Sequence, residues 1–122
     1  SERMMASSSA AQQLVAEHGV YPMIEAAKEN NVVLVEKCWD ANRGWLKMGD
    51  DEKGALPIHA AAAGDAVASL VKLLEYDPEG IKAKDNNGAL PIHFAAELDA
   101  VASLVKLLEY DPEGIKAMAN NG

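Results

Sequence analysis

The chain has 122 residues, 49% of them hydrophobic but only 5% aromatic, and a formal net charge of −8. This length suits one domain whose modest core is built from Ala, Val, Leu and Ile and not from large rings. The acidic balance repels a phosphate backbone, so nucleic acid is excluded as an expected partner and a basic protein surface is favoured.

Setting "SERMM" aside, the run "SSSAAQQLVAEHG" predicts a capping helix inside an N-terminal extension, residues 1–18. The serines at 7–9 are its N-cap candidates, and Gly19 stands just past its end. Residues 19–53 then read as an eroded copy of a unit that recurs twice more in the chain. Gly19, Pro22 and Ala26-Ala27 match Gly54, Pro57 and Ala61-Ala62, and "LVEKCW" matches "LVKLLE". The two clearer copies occupy 54–87 and 88–121. Gly54, Gly88 and Gly122 stand 34 residues apart, and 29 of the 34 aligned positions are identical. A fixed period of this size is the mark of stacked units that cannot bury their apolar faces alone.

Each clear copy reads as helix, turn, helix, then a projecting hairpin-like turn. Pro57 suits a first helical turn, where its missing N–H is not needed. Alanines follow, giving a short helix with a small face. Gly64 and Asp65 end it, and Asp65 is placed to cap the next helix. In "AVASLVKLLEY", Val67, Leu70, Val71 and Leu74 recur at helical spacing and form one apolar stripe. Pro78 and Gly80 stop that helix, and Asn87-Gly88 signals a tight turn with φ > 0.

These residues carry a resemblance. "DNNGALPIHFAAELDAVASLVKLLEYDPEG" resembles the ankyrin repeat, with its D-x-x-G-x-T-P-L-H-x-A-A signature followed by a V-V-x-L-L helix. Asp85, Gly88, Pro91, Ile92, His93, Ala95 and Ala96 stand at motif positions, as do Asp51, Gly54, Pro57, Ile58, His59, Ala61 and Ala62. A 34-residue period also suits tetratricopeptide repeats, but those lack the hairpin turn and want large aromatics in their helices. The resemblance implies an all-α stack of helix-turn-helix units with short β-hairpin-like turns, working as a protein-interaction module. The chain departs from the motif at Leu56 and Leu90, where the family has a capping Thr, and at Ala119, where the last turn lacks its Asp.

No catalytic constellation is expected, and neither a cofactor nor a metal. His59 and His93 occupy the family's structural position, where the ring braces turn backbone and neighbouring units. Cys38 sits on an apolar helix side and reads as core; alone, it cannot form an intramolecular disulfide. Trp39 and Trp45 also read as core. The acidic "GDDE" loop lacks the oxygen-ligand spacing of a calcium site and reads as solvated. No apolar run reaches the roughly 18 residues of a membrane span, so an intracellular, cytoplasmic protein without a membrane partner is expected.

The five differences between the two copies fall in the first helix and its exit, or in the turn. They are Ala60/Phe94, Ala63/Glu97, Gly64/Leu98, Lys84/Met118 and Asp85/Ala119. The resemblance places these regions on a concave partner-binding face, so Ala60, Ala63, Gly64, Lys84, Asp85, Phe94, Glu97, Leu98, Met118 and Ala119 are the candidate contacts for a protein partner. Local packing is the competing explanation, since Phe94 can fill a groove between helices. The last apolar stripe, Val101, Leu104, Val105 and Leu108, is expected to stay partly open, which suggests a homodimer through the C-terminal unit. The alternative function is therefore a structural repeat scaffold, natural or engineered, that self-associates.

Overall fold

The computed structural model describes the backbone of residues 2–121 and the side chains of residues 9–118. Its helices are α1 (Glu2–His18), α2 (Pro22–Lys28), α3 (Val32–Ala41), α4 (Pro57–Ala63), α5 (Val67–Tyr76), α6 (Pro91–Glu97), α7 (Val101–Tyr110) and α8 (Gly114–Asn121). Two 3₁₀ turns, Arg43–Lys47 and Pro78–Lys82, follow α3 and α5. No strand occurs among the described residues, and the all-α expectation holds.

Proline opens α2, α4 and α6, as the spacing of Pro22, Pro57 and Pro91 predicts. Ala26, Ala27, Ala61, Ala62 and Ala95 are fully buried on these short helices. Their small side chains let α2 approach α4 and α4 approach α6 closely, forming one row. The longer α3, α5 and α7 form a second row, α3 on α5 and α5 on α7. On α5 the buried stripe is Leu70, Leu73 and Leu74. Val67 and Val71, expected inside, are only half-buried. Each fully buried leucine contributes on the order of 1.5–3 kcal/mol. Helix α1 packs on α2 and α3 and buries Leu14 against them. It runs straight through the serines at 7–9 instead of starting at them. The strong helix formers downstream propagate the helix backwards through residues of middling preference.

The short helices end alike. Beyond α4, Ala66 N–H donates to the Ala61 carbonyl (2.8 Å) and Asp65 N–H to that of Ala62 (3.3 Å). This is a Schellman close, which requires a left-handed residue. Asn30, Asp65 and Asp99 fill that place with φ of 58°, 55° and 57°, as the two side-chain types most tolerant of it. Asp65 does not cap α5 from its own unit. Its Oδ1 accepts from Ser103 N–H of α7, 2.8 Å away, and Asn30 Oδ1 accepts from Ser69 N–H of α5, 2.9 Å away. The N-cap positions of α5 and α7 are Ala66 and Ala100, which offer no side-chain acceptor. Helices α5 and α7 are thus each capped by the pair before them, whereas α3 is capped by its own Asn31.

The turns between pairs are tighter than paired strands. Asp85 Oδ1 accepts from Asn87 N–H (2.9 Å) and Ala89 N–H (2.8 Å), while Gly88 N–H closes on the Asp85 carbonyl at 3.0 Å. Only Gly88 has positive φ, +81°, so this is a type I turn followed by a left-handed glycine, not a turn with both residues left-handed. In the preceding turn the equivalent cap is Asp50, not Asp51: its Oδ1 takes Lys53 N–H at 2.8 Å and Gly54 N–H at 3.1 Å. One extra residue in that loop shifts the register. Asp51 instead accepts the Tyr21 hydroxyl, and Asn86 N–H donates to the Lys53 carbonyl at 2.7 Å, so successive turns are tied together.

The chain's last segment overturns the expected third turn. "GIKA" follows Pro78 as a 3₁₀ turn, yet the same letters at 114–117 open α8. Where Lys84 and Asp85 begin a turn, residues 118 and 119 are Met and Ala. Losing the Asp acceptor frees the backbone, and Met and Ala are strong helix formers. The side chain of Ala119 lies outside the described residues.

Candidate functional site

The positions singled out from the copy-to-copy differences do not share one site. Asp85, Phe94 and Glu97 meet around a depression of about 320 Å³, which Lys53 and His93 also line. Glu97 is exposed and Phe94 half-buried, so this depression offers one ring flank and a charged rim. Asp85 is buried, at 8% exposure, with Oδ1 committed to its own turn. Ala60 and Ala63 are half-buried on α4, Gly64 is its exposed C-cap, and Leu98 is the exposed C-cap of α6. Lys84 is exposed and lies elsewhere, on the wall between two apolar grooves. Met118 is a half-buried residue of α8 packed on the core, not a turn residue.

The Phe94 ring lies 4.9 Å from the His59 ring, tilted by 35°. It therefore forms a wall of the depression and a cover for the histidine beneath. His59 is fully buried. Its Nδ1 accepts from Leu56 N–H (2.9 Å), so the proton sits on Nε2, which donates to the Ala83 carbonyl (2.9 Å). The first bond satisfies the N–H of Leu56 itself, the half of a capping box that the third helical residue supplies, while Leu56 offers no side-chain acceptor to the helix start. Burial holds the His59 pKa below its ordinary value, opposed in part by the Ala83 carbonyl and the Asp85 carboxylate. His93 repeats the arrangement, with Leu90 N–H at 2.9 Å and the Ala117 carbonyl at 3.3 Å. Both rings tie the start of a unit to its far end, rather than one unit to the next.

Other reactive groups are similarly engaged or shielded. Cys38 is fully buried, and burial pushes its thiol up to about 11, so thiolate chemistry is suppressed. The Asp50 carboxyl is held low, first by the Lys53 N–H bond. It is therefore a turn cap, where a solvated loop acid was expected. Among the described residues, no three His, Cys, Asp or Glu side chains converge as a metal site.

The two grooves escaped the sequence reading. One, of about 310 Å³, is walled by Leu56, Ile58, Leu73, Gly80 and Ala83; the other, about 290 Å³, by Leu90, Ile92, Leu107, Gly114 and Ala117. They are the same groove one repeat apart. The signal that could have found them is the recurrence of a glycine opposite an isoleucine. A Cβ on Gly80 would come 3.3 Å from Ile58 Cδ1, and one on Gly114 only 2.8 Å from Ile92 Cδ1.

On the outer row Trp39 also departs from expectation. It is half-buried and stacks on Tyr76 at 4.3 Å and 9°, with the Arg43 guanidinium 4.8 Å over its ring. Trp45 is buried in the core as expected. No described helix is long and apolar enough to cross a membrane. No protein-family model and no curated protein matches the chain.

Proposed function

We propose that the chain is an ankyrin-like stack of helix pairs acting as a non-catalytic protein-interaction module, which recognises a partner through its turn tips and the face of its first helices. The observation that carries this reading is the depression beside α6. Phe94, Glu97 and Asp85, three positions at which near-identical units differ, meet there. The engagement of His59, Asp50 and Cys38 in structure supports a binding role over catalysis. A preformed stack presents contacts at little ordering cost. The charge of −8 favours a basic partner surface, and a lone buried cysteine suits the reducing cytoplasm.

The test is capture of partners on the immobilised chain, followed by affinity measurement with the purified partner. Glu97→Lys should weaken binding about tenfold through charge reversal, and Phe94→Ala by at least as much. Far-UV circular dichroism should show both variants folded. Unchanged affinity in both would remove the depression from the binding face. A second reading, the self-associating scaffold, is favoured by the exposure of Val101 and Val105 on α7.

A further inference from the structure

The depression beside α6 opens at an internal joint between two described pairs. Lys53 of one turn and Asp85 of the next both line it, and Phe94 leans over His59 of α4, ring centroids 4.9 Å apart. Its volume of about 320 Å³ lies at the small end of ligand clefts, with room for one long side chain and not for a folded element. Two carboxylates face it. Asp85 is only 8% exposed, and its Oδ1 caps the turn. Its Oδ2 is not sealed from solvent and has no partner among the described residues, so it opens into the depression. Glu97, exposed on α6, forms no ion pair among the described residues. His93 shows the cavity only its ring, since both nitrogens are engaged. Among the described residues Lys53 is the one cation on the wall, set against two carboxylates. In the preceding pair Ala60 and Ala63 stand in the places of Phe94 and Glu97, so neither the ring nor the charge recurs there.

We infer that this depression holds one arginine side chain of a protein partner, an inference that rests on the depression being part of the binding face. A guanidinium suits the three groups together. Its planar fork donates to Asp85 Oδ2 and to Glu97 at once, while its flat face lies on the free flank of the Phe94 ring. A lysine ammonium is a compact, strongly hydrated point charge and satisfies fewer of these contacts. A metal ion needs at least three converging ligands, and among the described residues no three His, Cys, Asp or Glu side chains supply them. The described side chains include one arginine, Arg43, whose guanidinium lies 4.8 Å over the Trp39 ring on the outer row. A second copy of the chain must give up that contact to fill the site.

The probe is N-acetyl-arginine methylamide, titrated into the full chain while its amide nuclear magnetic resonances are followed, with the lysine and citrulline methylamides in parallel. Saturable shifts are expected at Gly88, Ala89, Phe94 and Glu97. The lysine compound should bind about threefold more weakly and the neutral citrulline compound not at all. Glu97→Gln should weaken the arginine compound about fivefold, the size of one exposed ion pair. Asp85→Asn, which keeps the Oδ1 acceptor of the turn, should weaken it as well. Phe94→Leu, which still covers His59, should bring arginine and lysine to equal affinity. Equal binding of all three compounds by the wild type, shifts scattered over the acidic surface, or an indifferent Glu97→Gln overturns the inference. If a captured partner loses affinity with Glu97→Lys but the probe gives no saturable shift, the binding face stands and the arginine falls. If the probe binds while the partner ignores both Phe94→Ala and Glu97→Lys, the binding face itself falls, and the inference with it. Sedimentation equilibrium at about 100 μM should show a monomer. A dimer abolished by Arg43→Gln would assign the depression to a second copy instead.

Discussion

At His59 both ring nitrogens are committed, one accepting from Leu56 N–H and the other donating to the Ala83 carbonyl. Burial penalises the charged imidazolium and depresses the folded pKa, and protonating Nδ1 also breaks the first bond. The unfolded chain takes up that proton more readily, so the linked stability is complete above the ordinary histidine pKa of about 6.5 and fades as pH falls below it. Asp50, whose folded pKa is also depressed, contributes in a different window. Its stabilisation is present above about pH 4 and disappears as pH falls further. Urea denaturation of the wild type should therefore lose stability between about pH 6.5 and 5. His59→Gln should cost roughly 1–3 kcal/mol at pH 7.5 and flatten the profile in that window. An equally steep profile in His59→Gln would mean that other groups set the dependence. Phe94 belongs to the same residue-scale logic, because its ring helps keep water from the imidazole.

Among the elements, the turns show how far the residue pattern reaches. Pro22, Pro57 and Pro91 mark three helix starts, and the apolar recurrence locates α5 and α7, because these signals act within a few residues of themselves. Turn register is less local. Asp51 matches Asp85 by counting back 34 residues, yet Asp50 makes the cap because one inserted residue is absorbed inside the loop. Asp50→Ala should thus cost about 1–2 kcal/mol and Asp51→Ala a few tenths in urea denaturation. Equal costs would return the cap to Asp51. Two further features were illegible for a similar reason. Asp65 stands one residue before the Ala N-cap of α5, the natural place to suspect a local cap, but its left-handed backbone turns the carboxylate towards α7. The grooves need two units side by side before a missing Cβ becomes a cavity wall. Of the candidate contacts, Asp85, Phe94 and Glu97 converge because the turn that holds Asp85 leads into α6, along which Phe94 and Glu97 stand three residues apart. Lys84, one residue before Asp85, faces the other side of the chain.

For the whole molecule, the capping rule makes stability directional. Helices α6 and α7 pack on α4 and α5, while the first pair is held by α1 and its own Asn31 cap. Loosening the joint between the second and third pairs should release the tail before the head. Hydrogen exchange of Asp65→Gly should show protection falling in α6 and α7 and unchanged in α2 and α3. A uniform loss across all pairs would show the chain to be a single cooperative block instead. The Trp39–Tyr76 stack bears on how such an opening is observed. Both tryptophans, Trp39 and Trp45, belong to the α3 end of the molecule, one against Tyr76 and one in the core. Their emission reports the head and its contact with α5, and nothing beyond. The last pair carries no tryptophan and can open unseen by that emission.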